Sequence, residues 1–327
     1  MATVTMLIGL PGSGKTTFAK SVGNEGNSKP CKIHVVSSDT MREKLYGSEE
    51  IQGDPNEVFE CVHKEIMDSL DKYDEVIFDA TNLNRKYRIA FIEKVKHEKP
   101  ETHICAYLFV VPFHVLYERN QNRDRKVPLD VLWRMVKTFD PPFAGEGFDS
   151  IEINWSDEKS PFPSLTKLRE FNQDNKHHTL SLGTHMLKAA DYCKNHYPEA
   201  DDETTILFKK MVVEAAKFHD IGKIITKSFT DANGNKTEDA HYYGHEHASA
   251  YMYLLRVNNE VITDKSIPPE DLNIWNILYV ANLIDFHMKP YTSWKQSEKA
   301  LKRDLQRYGE QFLCDVYVLH KADKEAK

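Results

Sequence analysis

Two groups of residues have types and spacings that could do chemistry. Residues 9–16 read GLPGSGKT, a G-x-x-x-x-G-K-[ST] stretch in which Gly9, Gly12, Ser13 and Gly14 let main-chain N–H groups turn inward around phosphate oxygens. In that pattern Lys15 reaches the terminal phosphates of a nucleotide and Thr16 holds Mg2+, while Thr17 belongs to the same nucleotide-binding stretch. Asp39, in VVSSDTMRE, stands just past an apolar strand-like run. A carboxylate there can take the proton of an attacking hydroxyl, or it can cap the helix TMREKLYG. Asp79 ends another such run, VIFDATN, and could act through the water shell of the metal. Residues 117–142 carry Arg119, Arg123, Arg125 and Lys126 ahead of Pro128. Such cations can close over a transferring phosphoryl group, or can form a solvated basic face.

The other group centres on AAKFHDIGK, residues 215–223. Adjacent His219 and Asp220 cannot share one side of a helix interior, but at a helix end they can converge on a metal ion as nitrogen and oxygen ligands. Further ligands are on offer at His185 in LGTHML, His245 in YYGHEHASA, His287 in LIDFHMKP and Asp323 in LHKADKEAK. Each sits in or at the end of a helical segment, so a bundle could bring them together. His178, His241, His247 and His320 stand nearby as decoys or supporting residues.

The chain that must position these groups has 327 residues, 40% hydrophobic and 28% charged, which fits two soluble domains. No apolar run approaches the roughly 18 residues that a membrane span needs. The opening MATVTMLIGLPG lacks a basic n-region, so no signal peptide is expected. The five cysteines form no C-x-x-C pair and imply reduced thiols in a cytoplasm. A net charge of −7 argues against broad adhesion to nucleic acid, which leaves binding to local patches. Strands are expected at residues 4–8, 32–36, 75–80, 103–111 and 150–154, with helices between the first four, the alternation of a parallel α/β sheet. The polar, proline-bearing SDEKSPFPS then reads as a linker, so a first domain over 1–157, a linker over 158–169 and a mostly α second domain over 170–327 are expected. Within the last, residues 227–244 predict a hairpin or long loop around Asn233-Gly234. Their DANGN places glycine wrongly for a calcium loop.

Together the P-loop, SSDxxR, FDATN and RNxxRxxxVP resemble the 5′-hydroxyl polynucleotide kinases of phage and bacterial RNA repair, over nearly all of residues 1–155. The resemblance implies Asp39 as general base, Arg42 as a contact to the acceptor's phosphate, and Arg119 and Arg123 as lid arginines on the donor. The cations of RKYR, Arg85, Lys86 and Arg88, stand near the same sheet edge and are expected to track a strand backbone. The order H…HD…H…H…D over about residues 170–327 resembles the HD superfamily of metal-dependent phosphohydrolases. It implies a first metal site of His185, His219, Asp220 and Asp323, a second completed by His245 and His287, and Lys223 on the substrate phosphate. Two cations ~3.5–4 Å apart would there bind phosphoester oxygens and activate water. One or two ions are expected, of Mn2+, Ni2+, Co2+, Fe2+ or Mg2+, because mixed His/Asp ligation selects weakly.

The expected architecture is an α/β P-loop NTPase domain, a parallel sheet with flanking helices, followed by an all-α HD-domain helical bundle. The expected function is the healing of RNA or DNA ends. ATP with Mg2+ phosphorylates a 5′-hydroxyl, and the second domain hydrolyses a 2′,3′-cyclic phosphate or a 2′(3′)-phosphate. No K-x-D-G adenylation motif is present, so a separate ligase would act downstream. No membrane partner and a cytoplasmic location are expected. The rival readings are a nucleoside or small-metabolite kinase joined to a nucleotide phosphohydrolase, and a regulatory module in which P-loop occupancy controls a degenerate HD domain.

Overall fold

The structure, a computed structural model, describes residues 2–26, 31–123, 125–176, 179–199, 201–264 and 272–327. His178 lies outside the described residues. The chain forms two compact units, Met1–Trp133 with Pro142–Glu158, and Arg134–Pro141 with Lys159–Lys327.

In the first unit β1 (Thr3–Ile8) leads through the glycine loop to α1 (Lys15–Gly26), followed by β2 (Ile33–Ser37), α2 (Ser38–Tyr46), α3 (Pro55–Ser69) and β3 (Glu75–Asp79). Then come α4 (Arg85–Glu98), β4 (His103–Val110), α5 (Phe113–Gln121), α6 (Leu129–Val136), a 3-10 turn at Ala144–Glu146 and β5 (Ser150–Trp155). The last turn of α6 is counted with the second unit. All strand pairs are parallel, in the order β2-β3-β1-β4-β5. Every expected strand forms, because each is a short β-branched or aromatic run that can be buried on both faces. Val4, Met6, Leu7, Ile8, Val76, Ile77 and Phe78 are all at most 2% exposed. The chain leaves β1 for β2 on one side and crosses from β3 past β1 to β4 on the other, and in such sheets the crevice at the carboxyl ends of the strands takes the ligand. Register sets Ser37 beside Asp79 and Met6 beside Phe78, which gathers the ends of β1, β2 and β3 at that edge.

The second unit contains α7 (Leu165–Glu170), α8 (Leu182–His196), α9 (Glu203–Phe218), α10 (Lys223–Thr226), β6 (Ser228–Thr230) and β7 (Lys236–His241). It continues with α11 (His245–Thr263), α12 (Ile274–Phe286), α13 (Ser293–Gln296), α14 (Glu298–Tyr308) and α15 (Glu310–Glu325). Helix α9 packs against α8, α12 and α15, and α11 against α12. Strands β6 and β7 form the antiparallel hairpin expected around Asn233-Gly234. The DANGN stretch is its turn: Asp231 Oδ1 accepts from Asn233 N and Asn235 N, and Gly234 takes φ +87°.

Two boundaries differ from those expected from polarity. Nearly all of the expected linker 158–169 is part of the second unit, because two of its apolar residues are used: Phe162 and Leu168 pack with Leu182, Met186, Ile221 and Met252. Residues 134–141 are also counted there, and Phe139, 0% exposed, meets Tyr251 edge-on at 5.1 Å. Among the described residues no helix is long and apolar enough to cross a membrane.

Candidate active sites

The glycine loop joins β1 to α1 with Gly12 at φ +84° and Gly14 at φ +98°, and a Cβ on Gly12 would stand 2.9 Å from Leu116 O. Glycine alone meets both demands at that position. Lys15 Nζ is held by Gly9 O and Leu10 O at 2.9 Å each and by Ser13 Oγ at 3.3 Å. Burial pushes its ammonium down to about 8, with Asp79 opposing the shift and Arg123 adding to it. Thr16 Oγ1 donates to Asp79 Oδ2 at 2.8 Å, while Thr17 is exposed in the first turn of α1. Burial raises the Asp79 carboxyl, against the pull of Thr16 and Lys15. The hydroxyl and carboxylate that could share a Mg2+ shell are therefore already paired.

Asp39 does not cap its helix. Ser37 is the N-cap of α2, its side chain accepting from Asp39 N, so the carboxylate is released from that duty. Arg42 Nη1 at 2.9 Å and Arg125 Nη1 at 3.1 Å both donate to Asp39 Oδ1. Arg119 Nη1 lies 3.4 Å from Gly12 O, and Arg123 is near enough to depress Lys15. The basic stretch thus contributes to the P-loop surroundings at Arg119 and Arg123, and to Asp39 through Arg125, which its place in a run of cations did not single out.

Arg85 and Arg88 do not track a nucleic-acid backbone. They are 6% and 1% exposed, and Glu146 accepts from Arg88 Nε and Nη2 at 2.7 Å each and from Arg85 Nε at 3.4 Å. Arg88 Nη1 also donates to Asn82 O and Leu83 O at 2.9 Å. The turn so gripped is joined to the loop: Gly9 N donates to Thr81 O, and Asn82 Nδ2 to Leu7 O. In sequence nothing distinguishes these arginines from exposed ones, since Glu146 is remote.

In the second unit His185, His219, Asp220 and Asp323 offer one mutually close ligand set, and Asp220, His245 and His287 another, so Asp220 belongs to both. Asp220 Oδ2 faces His185 Nε2 at 3.2 Å and His219 Nε2 at 3.5 Å, while Oδ1 faces His245 Nε2 at 3.2 Å and His287 Nε2 at 3.7 Å. Gly222 permits this meeting, since a Cβ there would fall 2.5 Å from His245 O. Asp323 Oδ1 lies 3.1 Å from His185 Nε2 and 3.6 Å from His219 Nε2.

Ring orientation tests whether a cation fits. The Nδ1 atoms of His185, His219, His245 and His287 lie 2.6–3.2 Å from the carbonyls of Ala326, Ala216, Tyr242 and Ile284. A carbonyl only accepts, so each Nδ1 must donate, and in the neutral ring each Nε2 is a lone pair. Those lone pairs face one another at 3.2 Å between His185 and His219 and at 3.3 Å between His245 and His287. Nitrogen lone pairs aimed together among carboxylates fit divalent cations. The carboxylates draw positive charge, whether a proton or a metal ion, onto these rings. Against burial, Asp220 and Asp323 lift His185 to about 9, and Asp220 raises His287. The Asp220 carboxyl is held well below its usual range, with Lys223 and His219 overcoming its burial. His185 and His219 likewise hold Asp323 low against burial.

Lys223 Nζ reaches Asp220 Oδ2 at 2.6 Å and is held by Gln173 Oε1 at 2.9 Å. Sequence reasoning missed Gln173, and also Tyr291, whose hydroxyl donates to Asp323 Oδ2 at 2.8 Å. Tyr291 lies in the turn that follows α12, four residues after His287, where no helical periodicity marks it. Among the remaining histidines, His241 pairs with Tyr243 and His320 with Tyr291, while His247 meets Asp140 and Asp285.

The family model described as AAA domain matches residues 4–142. A curated relative, L-seryl-tRNA(Sec) kinase of Methanococcus maripaludis, is 26% identical over 175 residues, which are 52% of this chain and 66% of the relative. The chain thus spans slightly less than two thirds of that protein. Among solved structures, Kti12 of Chaetomium thermophilum in complex with ADP-AlF3 aligns with a TM-score of 0.38 and 19% identity, over 47% of this chain and 90% of that one. A gluconokinase from Sinorhizobium meliloti aligns with a TM-score of 0.32 and 16% identity, over 50% and 85%. The segment 4–142 thus carries a P-loop in a parallel α/β fold.

Proposed function

We propose that the protein heals both ends of a broken RNA: its first unit transfers phosphate from ATP to a 5′-hydroxyl, and its second hydrolyses a 2′,3′-cyclic phosphate or a 2′(3′)-phosphate. The observation that carries this reading is that Asp220 is shared by two histidine clusters in a chain that also bears a complete P-loop. One site is equipped to add a phosphate and the other to remove one. The relative named as a kinase of L-seryl-tRNA(Sec) supports an acceptor hydroxyl carried on RNA.

In the first unit the loop N–H groups and Lys15 bind the donor phosphates, with Mg2+ held by Thr16 and, through water, Asp79. Asp39 takes the proton of the acceptor hydroxyl, Arg42 holds the acceptor's phosphate, and Arg119 and Arg123 neutralise charge on the transferred group. In the second unit His185, His219, Asp220 and Asp323 hold one divalent cation, and Asp220, His245 and His287 the other. Bound cations supply Lewis acidity and water that ionises near neutral pH. Asp220 orients both positions and Lys223 binds a phosphate oxygen. Sealing then belongs to a separate ligase.

The test follows both ends of one oligoribonucleotide bearing a 5′-hydroxyl and a 2′,3′-cyclic phosphate, with ATP, Mg2+ and Mn2+. Lys15→Ala is expected to lose 5′ phosphorylation alone and Asp220→Ala 3′ hydrolysis alone. If the wild type leaves both ends untouched while turning over a free nucleoside or nucleotide, the RNA assignment falls.

A further inference from the structure

A third group of ligating side chains lies in the second unit. Asp140 comes from segment 134–141, His247 from the first turn of α11 and Asp285 from the last turn of α12, and one ligand atom of each lies within 4.8 Å of the others. We propose that Asp140, His247 and Asp285 form a separate divalent-cation site that staples segment 134–141 to α11 and α12.

His247 Nδ1 is 2.7 Å from Asp285 Oδ1 and 3.4 Å from Asp140 Oδ1. Two carboxylates thus converge on one ring nitrogen. A single N–H proton can lie in line with only one of them, whereas a dication can take both oxygens and the nitrogen lone pair together. At the opposite side of the ring, Glu246 Oε1 stands 3.8 Å from His247 Nε2. The two nearer carboxylates draw a proton to Nδ1, and a dication binding there would displace that proton and take the lone pair, with the N–H left on Nε2 beside Glu246. The Asp285 side chain is 1% exposed while those of Asp140 and His247 are 13% and 26% exposed, so the group is anchored within and open on one side, where water can complete the coordination.

Helix geometry separates this site from the Asp220 centre. His247 follows His245 by two residues and Asp285 precedes His287 by two. Two residues rotate an α-helix by about 200°, so α11 and α12 each present one ligand to each site from opposite faces. The H-x-H and D-x-H spacings thereby serve two sites with one pair of helices. Segment 134–141 already packs on α11, with Phe139 against Tyr251. The ligand set of imidazole and carboxylates suits Mn2+, Fe2+ or Zn2+. The site stands whether or not the Asp220 centre hydrolyses phosphate.

The test is metal content, which requires no activity. Full-length protein stripped with a chelator is dialysed against Mn2+ or Zn2+, and the bound equivalents and the metal-dependent rise in Tm are measured. Asp140→Asn and His247→Gln are each expected to bind one equivalent less than the wild type, or to bind it at least about tenfold more weakly, and Asp220→Ala to retain it. If both triad variants bind as much metal as the wild type with unchanged affinity, or if Asp220→Ala binds none, the residues are an ion-paired cluster and the proposal is overturned.

Discussion

At the scale of single residues, the first unit turns on which oxygen of Asp39 is engaged. Both guanidinium contacts fall on Oδ1, so in the proposed reaction Oδ2 is the oxygen that would receive the acceptor hydroxyl. Asp39→Asn keeps the shape and removes the basicity. It is expected to slow 5′ phosphorylation by about 10²–10⁴-fold while leaving nucleotide affinity unchanged, as read by single-turnover kinetics and direct MgATP binding. Equal loss of binding and rate would instead make Asp39 a structural residue. In the second unit Tyr291 fixes Asp323 from outside the ligand set. Tyr291→Phe is expected to weaken binding of divalent metal by about 10–100-fold, measured by competition with a chelating dye, with the fold intact by circular dichroism.

Elements position these residues through contacts that cross long stretches of chain. Glu146, in the turn before β5, grips Arg88 in the first turns of α4, and Arg88 in turn holds the carbonyls of Asn82 and Leu83 after β3. That turn bonds to the ends of β1 and so braces the P-loop against Asp79. Breaking the pair leaves a buried charge, and Arg88→Ala is expected to cost about 3–5 kcal/mol in chemical denaturation. Replacing the whole cluster, Arg85→Met and Arg88→Met with Glu146→Leu, is expected to recover part of that stability yet to raise the Mg2+ concentration needed for phosphorylation, because the carbonyl tether is gone. Unchanged Mg2+ dependence in a folded triple variant would make the cluster purely structural.

At the scale of the whole molecule, stability responds to buried charge. Asp315, 1% exposed, accepts hydroxyls from Tyr197 and Tyr279 at 2.7 Å each and an amide from Gln311 at 3.0 Å. Burial pushes its carboxyl up to about 6, with Tyr279, Tyr197 and Gln311 pulling the other way. The folded-state value lies above the ordinary 3.8, so the protonated form stabilises the fold at low pH and that contribution is lost as pH rises through about 6. Asp315→Asn removes this titration. Its Tm relative to the wild type is therefore expected to be higher at about pH 8 than at about pH 5 in thermal melts. A difference that does not change with pH would place the cost elsewhere.

What was legible in sequence was whatever local periodicity or a short motif encodes. The five strands are apolar runs, the P-loop spacing is contiguous, and the hairpin turn is marked by Asn233-Gly234, so propensity and pattern sufficed. The four histidines and two aspartates of the candidate metal-ligand sets could be named, since each sits in or at the end of a helical segment, but not their arrangement. Only tertiary structure made Asp220 common to two clusters and aimed each Nε2 inward, because that depends on carbonyls supplied by neighbouring turns and on the close approach at Gly222. It likewise decided that Ser37 and not Asp39 caps α2, and that Arg88 is buried against Glu146. It also carried segment 134–141 to the second unit. In each case the deciding partner is remote in the chain or fixed by backbone geometry, and neither is written in the local order of residue types.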